Sequence, residues 1–154
     1  MYEDKSLTPL IGARVNAILM SEGRLVFQTD RGLVGYYVDG DCCSTSYFFD
    51  FYGVRNLLDN GPVLAFEKVE LSPGDVGYHA ETWDPDLVQR KYQDCVKVYG
   101  YRITTEDTRF GPVSSVFSFR NDSNGYYGGD MYLIEGDPKF TGDLVSLTAD
   151  KIGA

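Results

Sequence analysis

The sequence predicts an α+β fold that is mostly antiparallel β-sheet, with about seven to eight strands in meanders and hairpins and one or two short helices. Three observations carry that expectation. Short runs of alternating apolar and polar residues recur along the chain, which is the period of a half-buried strand. Tyrosine and phenylalanine, at 12 and 9 residues, enrich the chain in side chains that favour pleated surfaces. The connections between runs are short and rich in Gly, Asp and Asn, so that neighbouring strands run antiparallel. At 154 residues and 43% hydrophobic content, the chain reads as a single domain over 1–154. Such a domain buries roughly 70% of the surface its unfolded chain exposes and needs no disulfide staples.

The elements follow in order. Val15, Ala17 and Leu19 alternate, while Ile11, Val15 and Ile18 fit a helical stripe; the strand is preferred. Ser21-Glu22-Gly23 supplies a turn into a second strand over Arg24–Thr29, with Leu25 and Phe27 inward and Val26 and Gln28 on the other face. Arg31-Gly32 turns the chain into a third, Leu33–Val38. Ser46–Tyr52 is a fourth, on which Tyr47, Phe49 and Phe51 share a face. Residues 54–61 form one or two helical turns ended by Gly61 and Pro62. Val63–Leu71 resumes as a strand whose inward set changes phase, which suggests a bulge near Lys68. Residues 72–93 form an irregular loop, in which Asp84 as N-cap and Pro85 at the first helical position would start a short helix. Asp94–Thr105 and Pro112–Arg120 make the clearest hairpin. Asn124-Gly125 is a strong turn, and Tyr126-Tyr127 with Met131–Ile134 closes the sheet. The core spans about residues 10–135, and the tail over 136–154 carries few ordering signals, as expected of a mobile segment.

Charge narrows the partners. With 23 acids against 14 bases the formal charge is −9, so a nucleic-acid backbone is repelled and none is expected as partner. No window reaches the ~20 apolar residues of a membrane span, and the start at Met1-Tyr2-Glu3-Asp4-Lys5 lacks a signal-peptide layout. The odd number of cysteines, 3, fits reduced thiols and a cytoplasmic setting.

Catalytic motifs are missing. The sequence holds no GxxxxGK[ST], no GxGxxG opening a helix and no GxSxG, and a Ser-His-Asp arrangement would have to use His79 inside the irregular loop. Neither a catalytic residue nor a cofactor is assigned, and the reading leans away from an enzyme. Cys42 and Cys43 fall short of the roughly four ligands of a zinc site, with only Cys95 and His79 elsewhere. They read instead as small residues of a structural turn, Gly40-Asp41-Cys42-Cys43, in which Gly40 takes a positive φ and one thiol tucks beneath the aromatic strand. Asp39, Asp41 and Asp50 would supply oxygens to a hard cation in a metal-dependent enzyme, yet their spacing matches no established loop and they are more simply turn residues.

The order of elements resembles a family of small uncharacterised domains found in bacteriophages and some bacteria. The matching residues are Leu10-Ile11-Gly12, Leu25-Val26-Phe27 with Thr29-Asp30-Arg31-Gly32, Gly40-Asp41-Cys42-Cys43-Ser44, Phe49-Asp50, Leu57-Leu58, Pro62-Val63-Leu64 and Asn124-Gly125-Tyr126-Tyr127. They span about Leu10–Leu71 and Val96–Leu133. The resemblance implies a phage-type accessory protein of the host cytoplasm and assigns no catalytic role.

The aromatic residues supply the candidate site. Adjacent strand residues point to opposite faces, so the runs around Tyr36-Tyr37, Tyr47-Phe48-Phe49 and Phe51-Tyr52 exceed what one core face holds. Tyr36, Tyr37, Tyr47, Tyr52, Trp83, Tyr126 and Tyr127 are therefore the candidate partner-binding residues, acting on a host or phage protein. The alternative from another class is a small-ligand binder or sponge that captures a nucleotide-like molecule between tyrosine walls.

Overall fold

A computed structural model of the chain describes residues 5–40, 44–72, 75–76, 95–123, 128–138 and 142–151. Among them, nine strands form two antiparallel sheets, with one short α-helix and a 3₁₀ turn at Thr8–Leu10. The expected helix over Asp84–Tyr92 lies outside the described residues.

Strands β1 (Val15–Met20), β2 (Arg24–Thr29) and β3 (Gly32–Gly40) form the predicted meander. The chain then crosses to a second sheet with β4 (Thr45–Tyr52) and passes through α1 (Val54–Asp59) to β5 (Val63–Val69) at its far edge. The long hairpin β6 (Cys95–Asp107) and β7 (Gly111–Ser123) fills the gap, with β7 beside β4. Its three-residue connection, 108–110, leads into Gly111 at φ 79°, the left-handed residue that lets a tight hairpin rejoin its ladder. The chain returns to the first sheet as β8 (Gly129–Leu133) beside β3 and finally as β9 (Val145–Ser146) beside β1. The first sheet thus runs β8-β3-β2-β1-β9 and the second β4-β7-β6-β5.

The two sheets meet across one aromatic core. Cross-strand register puts Phe51, Phe117 and Tyr101 in one row, and Phe48, Phe119 and Tyr99 in the next. Their rings stack, with centroids 5.3 Å apart for Phe51–Phe117 and for Tyr101–Phe117, and 4.8 Å for Tyr99–Phe119. Phe27 of the opposite sheet meets Phe51, Phe66 and Phe117 largely edge-on, the arrangement that the ring quadrupole favours. Much of the aromatic surplus is therefore spent inside.

Bulges explain where the inward sets differ from strict alternation. In β1 a register shift between Val15 and Ala17 turns Ile18 and Met20 into the core, in place of Ala17 and Leu19. In β4 an extra residue between Phe48 and Phe51 puts those two rings on the core face, so Phe51 does not share a face with Tyr47 and Phe49. In β5 the shift lies between Val63 and Ala65 rather than near Lys68, and Leu64 is left exposed. Val26, expected on a solvent face, is buried because the chain after β8 folds back and lays Pro138 over Gly35 beside it.

Residues 142–151 tie the sheets together. Val145 and Ser146 pair with Met20 and Leu19 of β1, and Leu147 enters the core. Asp150 Oδ1 accepts the N–H of Val54, an orphan donor at the start of α1, at 3.0 Å. Lys151 forms an antiparallel bridge with Phe51 of β4.

Candidate functional site

The outer face of the first sheet is a ladder of three rows. Val26, Gly35 and Ile134 make the first, under Pro138. Arg24, Tyr37 and Tyr132 make the second. Asp39, two residues after Tyr37, and Asp130, two residues before Tyr132, make the third. Tyr37 and Tyr132 are 40% and 44% exposed, with ring centroids 5.3 Å apart and planes at 30°. The two rings therefore present a joined aromatic surface to solvent, and β8, at one edge of this sheet, carries half of it.

The acid row beside the rings is unusual. Ile134 donates its N–H to Gly35 O, so alternation along the ladder makes Tyr37–Tyr132 and Asp39–Asp130 hydrogen-bonded pairs, with Cα atoms about 5.5 Å apart. Like charges directly opposite one another destabilise a sheet. Asp39 Oδ1 accepts the Gly40 N–H at 2.9 Å, and among the described residues neither carboxylate meets a basic side chain. Glu135 and Asp137, in the segment that follows β8, are both exposed.

The outer face of the second sheet holds charge of a different kind. Asp50 and Arg120 are fully buried there, with Arg120 Nη2 donating to Asp50 Oδ2 at 3.1 Å. The Arg120 guanidinium lies 4.8 Å from the centre of the Phe49 ring, within cation–π range. Lys151 adds a second cation: its Nζ donates to the Phe49 carbonyl at 2.8 Å and lies 5.7 Å from the same ring. Burial lowers the Lys151 pKa from its ordinary value, and the carboxylates of Asp50 and Glu22 partly offset that. Asp50 is accordingly neither a turn residue nor a free oxygen ligand. It is the counter-charge of two cations, which is the wrong electrostatic setting for a third, metallic one.

The candidate binding residues separate. Tyr36 is a core residue with no exposed surface, and its hydroxyl donates to Ser6 O at 2.8 Å, so it is no surface for a partner. Tyr37 is exposed and lies beside Tyr132, a ring outside the expected set. Tyr47 and Tyr52 are half-buried on the other sheet, Tyr47 packing edge-on against Phe49 at 6.1 Å. Trp83, Tyr126 and Tyr127 lie outside the described residues, as do Asp41, Cys42, Cys43 and His79. Gly40 is the last residue of β3, paired with Gly129, and it does not take the expected positive φ. A side chain is excluded there instead because Ser44 Oγ and the Asn121 amide occupy the space a Cβ would need. Asn121 Nδ2 in turn donates to Ser44 Oγ and Ser46 Oγ at 3.1 and 2.9 Å.

A polar cleft of about 260 Å³ also lies between α1 and the β6–β7 tip, lined by Arg55, Asn56, Asp59, Asn60, Asp107, Thr108 and Arg109. Its charges are largely spent on one another, through Arg55–Asp59 and Arg109–Asp107 pairs. Comparison with family models, with curated proteins and with solved structures returns no match.

Proposed function

We propose that this chain is a non-enzymatic protein-binding domain that engages its partner through the Tyr37–Tyr132 face. The observation that carries the reading is the exposed, joined ring pair beside a row of two acids, Asp39 and Asp130. Aromatic rings give large contact area at small entropic cost and are enriched at interface centres. The nucleotide alternative is weaker at this face, because the acids Asp39 and Asp130 next to the rings disfavour phosphates there. The resemblance of residues 10–71 and 96–133 to phage-borne domains directs the search to an infected bacterial cell, with the protein acting as a cytoplasmic accessory factor.

Affinity capture from bacterial lysate with the wild type and with a Tyr37→Ala/Tyr132→Ala variant tests the reading. The wild type is expected to retain a specific partner as salt is raised, and the double variant to lose it. Equal capture by both proteins, or no specific capture by either, overturns the assignment.

A further inference from the structure

The ring pair and the acid row occur side by side on one patch, and together they specify a chemistry more narrowly than either does alone. A surface chosen only for apolar contact gains nothing from two facing carboxylates, which repel one another across the ladder. A cation set between them would relieve that repulsion. The same cation, displaced by one row, would lie over the rings of Tyr37 and Tyr132, whose faces attract positive charge.

We propose, building on the protein-binding reading, that Tyr37, Tyr132, Asp39 and Asp130 receive an arginine side chain from the partner. Arginine fits better than lysine for a geometric reason. Its guanidinium is flat, so one face can lie on a tyrosine ring while its N–H edge forks towards carboxylates. The two acids stand on adjacent strands about 5.5 Å apart at Cα, a spacing that lets both reach one guanidinium edge. Lysine offers a compact ammonium that keeps its water more tightly and cannot stack. Arg24 stands opposite Tyr37 on β2 and bounds the ring row on the side away from Tyr132.

The test uses the full chain and three short acetylated, amidated peptides of glycine and serine around one central residue: arginine, citrulline or lysine. Citrulline keeps the shape of arginine and removes its charge. Amide and tyrosine-ring NMR shifts report binding, and the arginine peptide is expected to move Tyr37, Asp39, Asp130 and Tyr132 while leaving the core unchanged. Citrulline should weaken binding on the order of fivefold, as should Asp39→Asn/Asp130→Asn, whereas lysine should fall between arginine and citrulline. Salt should weaken the arginine complex and leave the citrulline one unaffected. Arginine and citrulline peptides that bind alike, shifts confined to another surface, or no binding of the arginine peptide would each overturn the proposal. Partner capture that still depends on Tyr37 and Tyr132 would then leave the protein-binding reading standing, whereas its loss would remove both.

Discussion

The outer faces of the two sheets are assembled from the same ingredients, aromatic rings beside carboxylates, and arrive at opposite states. On the second sheet the chain supplies the counter-charges itself, and Asp50, Arg120 and the Phe49 ring close into a buried cluster with Lys151 at its margin. On the first sheet Asp39 and Asp130 meet no such cation among the described residues, and the rings next to them remain in contact with water. The contrast teaches that an aromatic-acidic composition is not by itself a functional signal. Under the proposed function, what separates a structural cluster from a binding face is whether the opposite charge comes from the same chain.

Removing the internal counter-charge should have the largest effect. Asp50→Ala leaves Arg120 charged inside the protein and is expected to lower stability by about 3–5 kcal/mol in denaturant unfolding. An Asp50→Leu/Arg120→Met variant, which takes out both charges, should recover most of the loss. If the single variant unfolds like the parent, the cluster is not the structural element described.

A smaller effect concerns Lys151 and is read from pH. Its folded pKa lies below the ordinary 10.5, so between the two values the unfolded chain holds more protons than the folded one. Stability from this group therefore rises with pH across that window, and the burial penalty is present in full below it. Compared with Lys151→Met, the wild type is expected to gain stability as pH climbs towards 10.5. A difference between the two proteins that stays flat across the window would remove Lys151 from the comparison.

The smallest effect on stability belongs to the exposed face. Tyr37→Ala/Tyr132→Ala should change unfolding by about 1 kcal/mol or less, because the rings keep much of their area in water and only one cross-strand pair is lost. A loss as large as that of Asp50→Ala would mean that the face serves the fold rather than a partner.

The sheets were largely legible in the sequence, because period-2 runs and short polar connections report strands and their antiparallel order locally. The meander from Val15 to Gly40 and the β6–β7 hairpin follow from those signals alone. Inward sets were less legible wherever a bulge inserts a residue, since Phe49 and Asp50 look like ordinary members of an alternating run until register with β7 is known. Arg120 was missed for a related reason. Ser118, Arg120 and Asp122 alternate with Phe117 and Phe119 and so read as a wet face, although all three are buried. Tyr132 was missed because its pairing with Tyr37 joins strands distant in sequence, and no local pattern encodes that contact. Strand β9 is two residues long, too short to leave any periodicity.

The tie made by residues 145–151 sets a schedule for synthesis. Met20 waits for Val145, a partner 125 residues further along the chain. At a ribosomal rate of about 5–20 residues per second, that interval is roughly 6–25 s. Throughout it, the free edge of β1 is an open template for any passing strand, next to a core that is not yet closed. The nascent protein is thus most vulnerable to mispairing at its first strand rather than its last, and a chaperone that shields β1 should raise the yield of folded protein more than one that acts on the long hairpin.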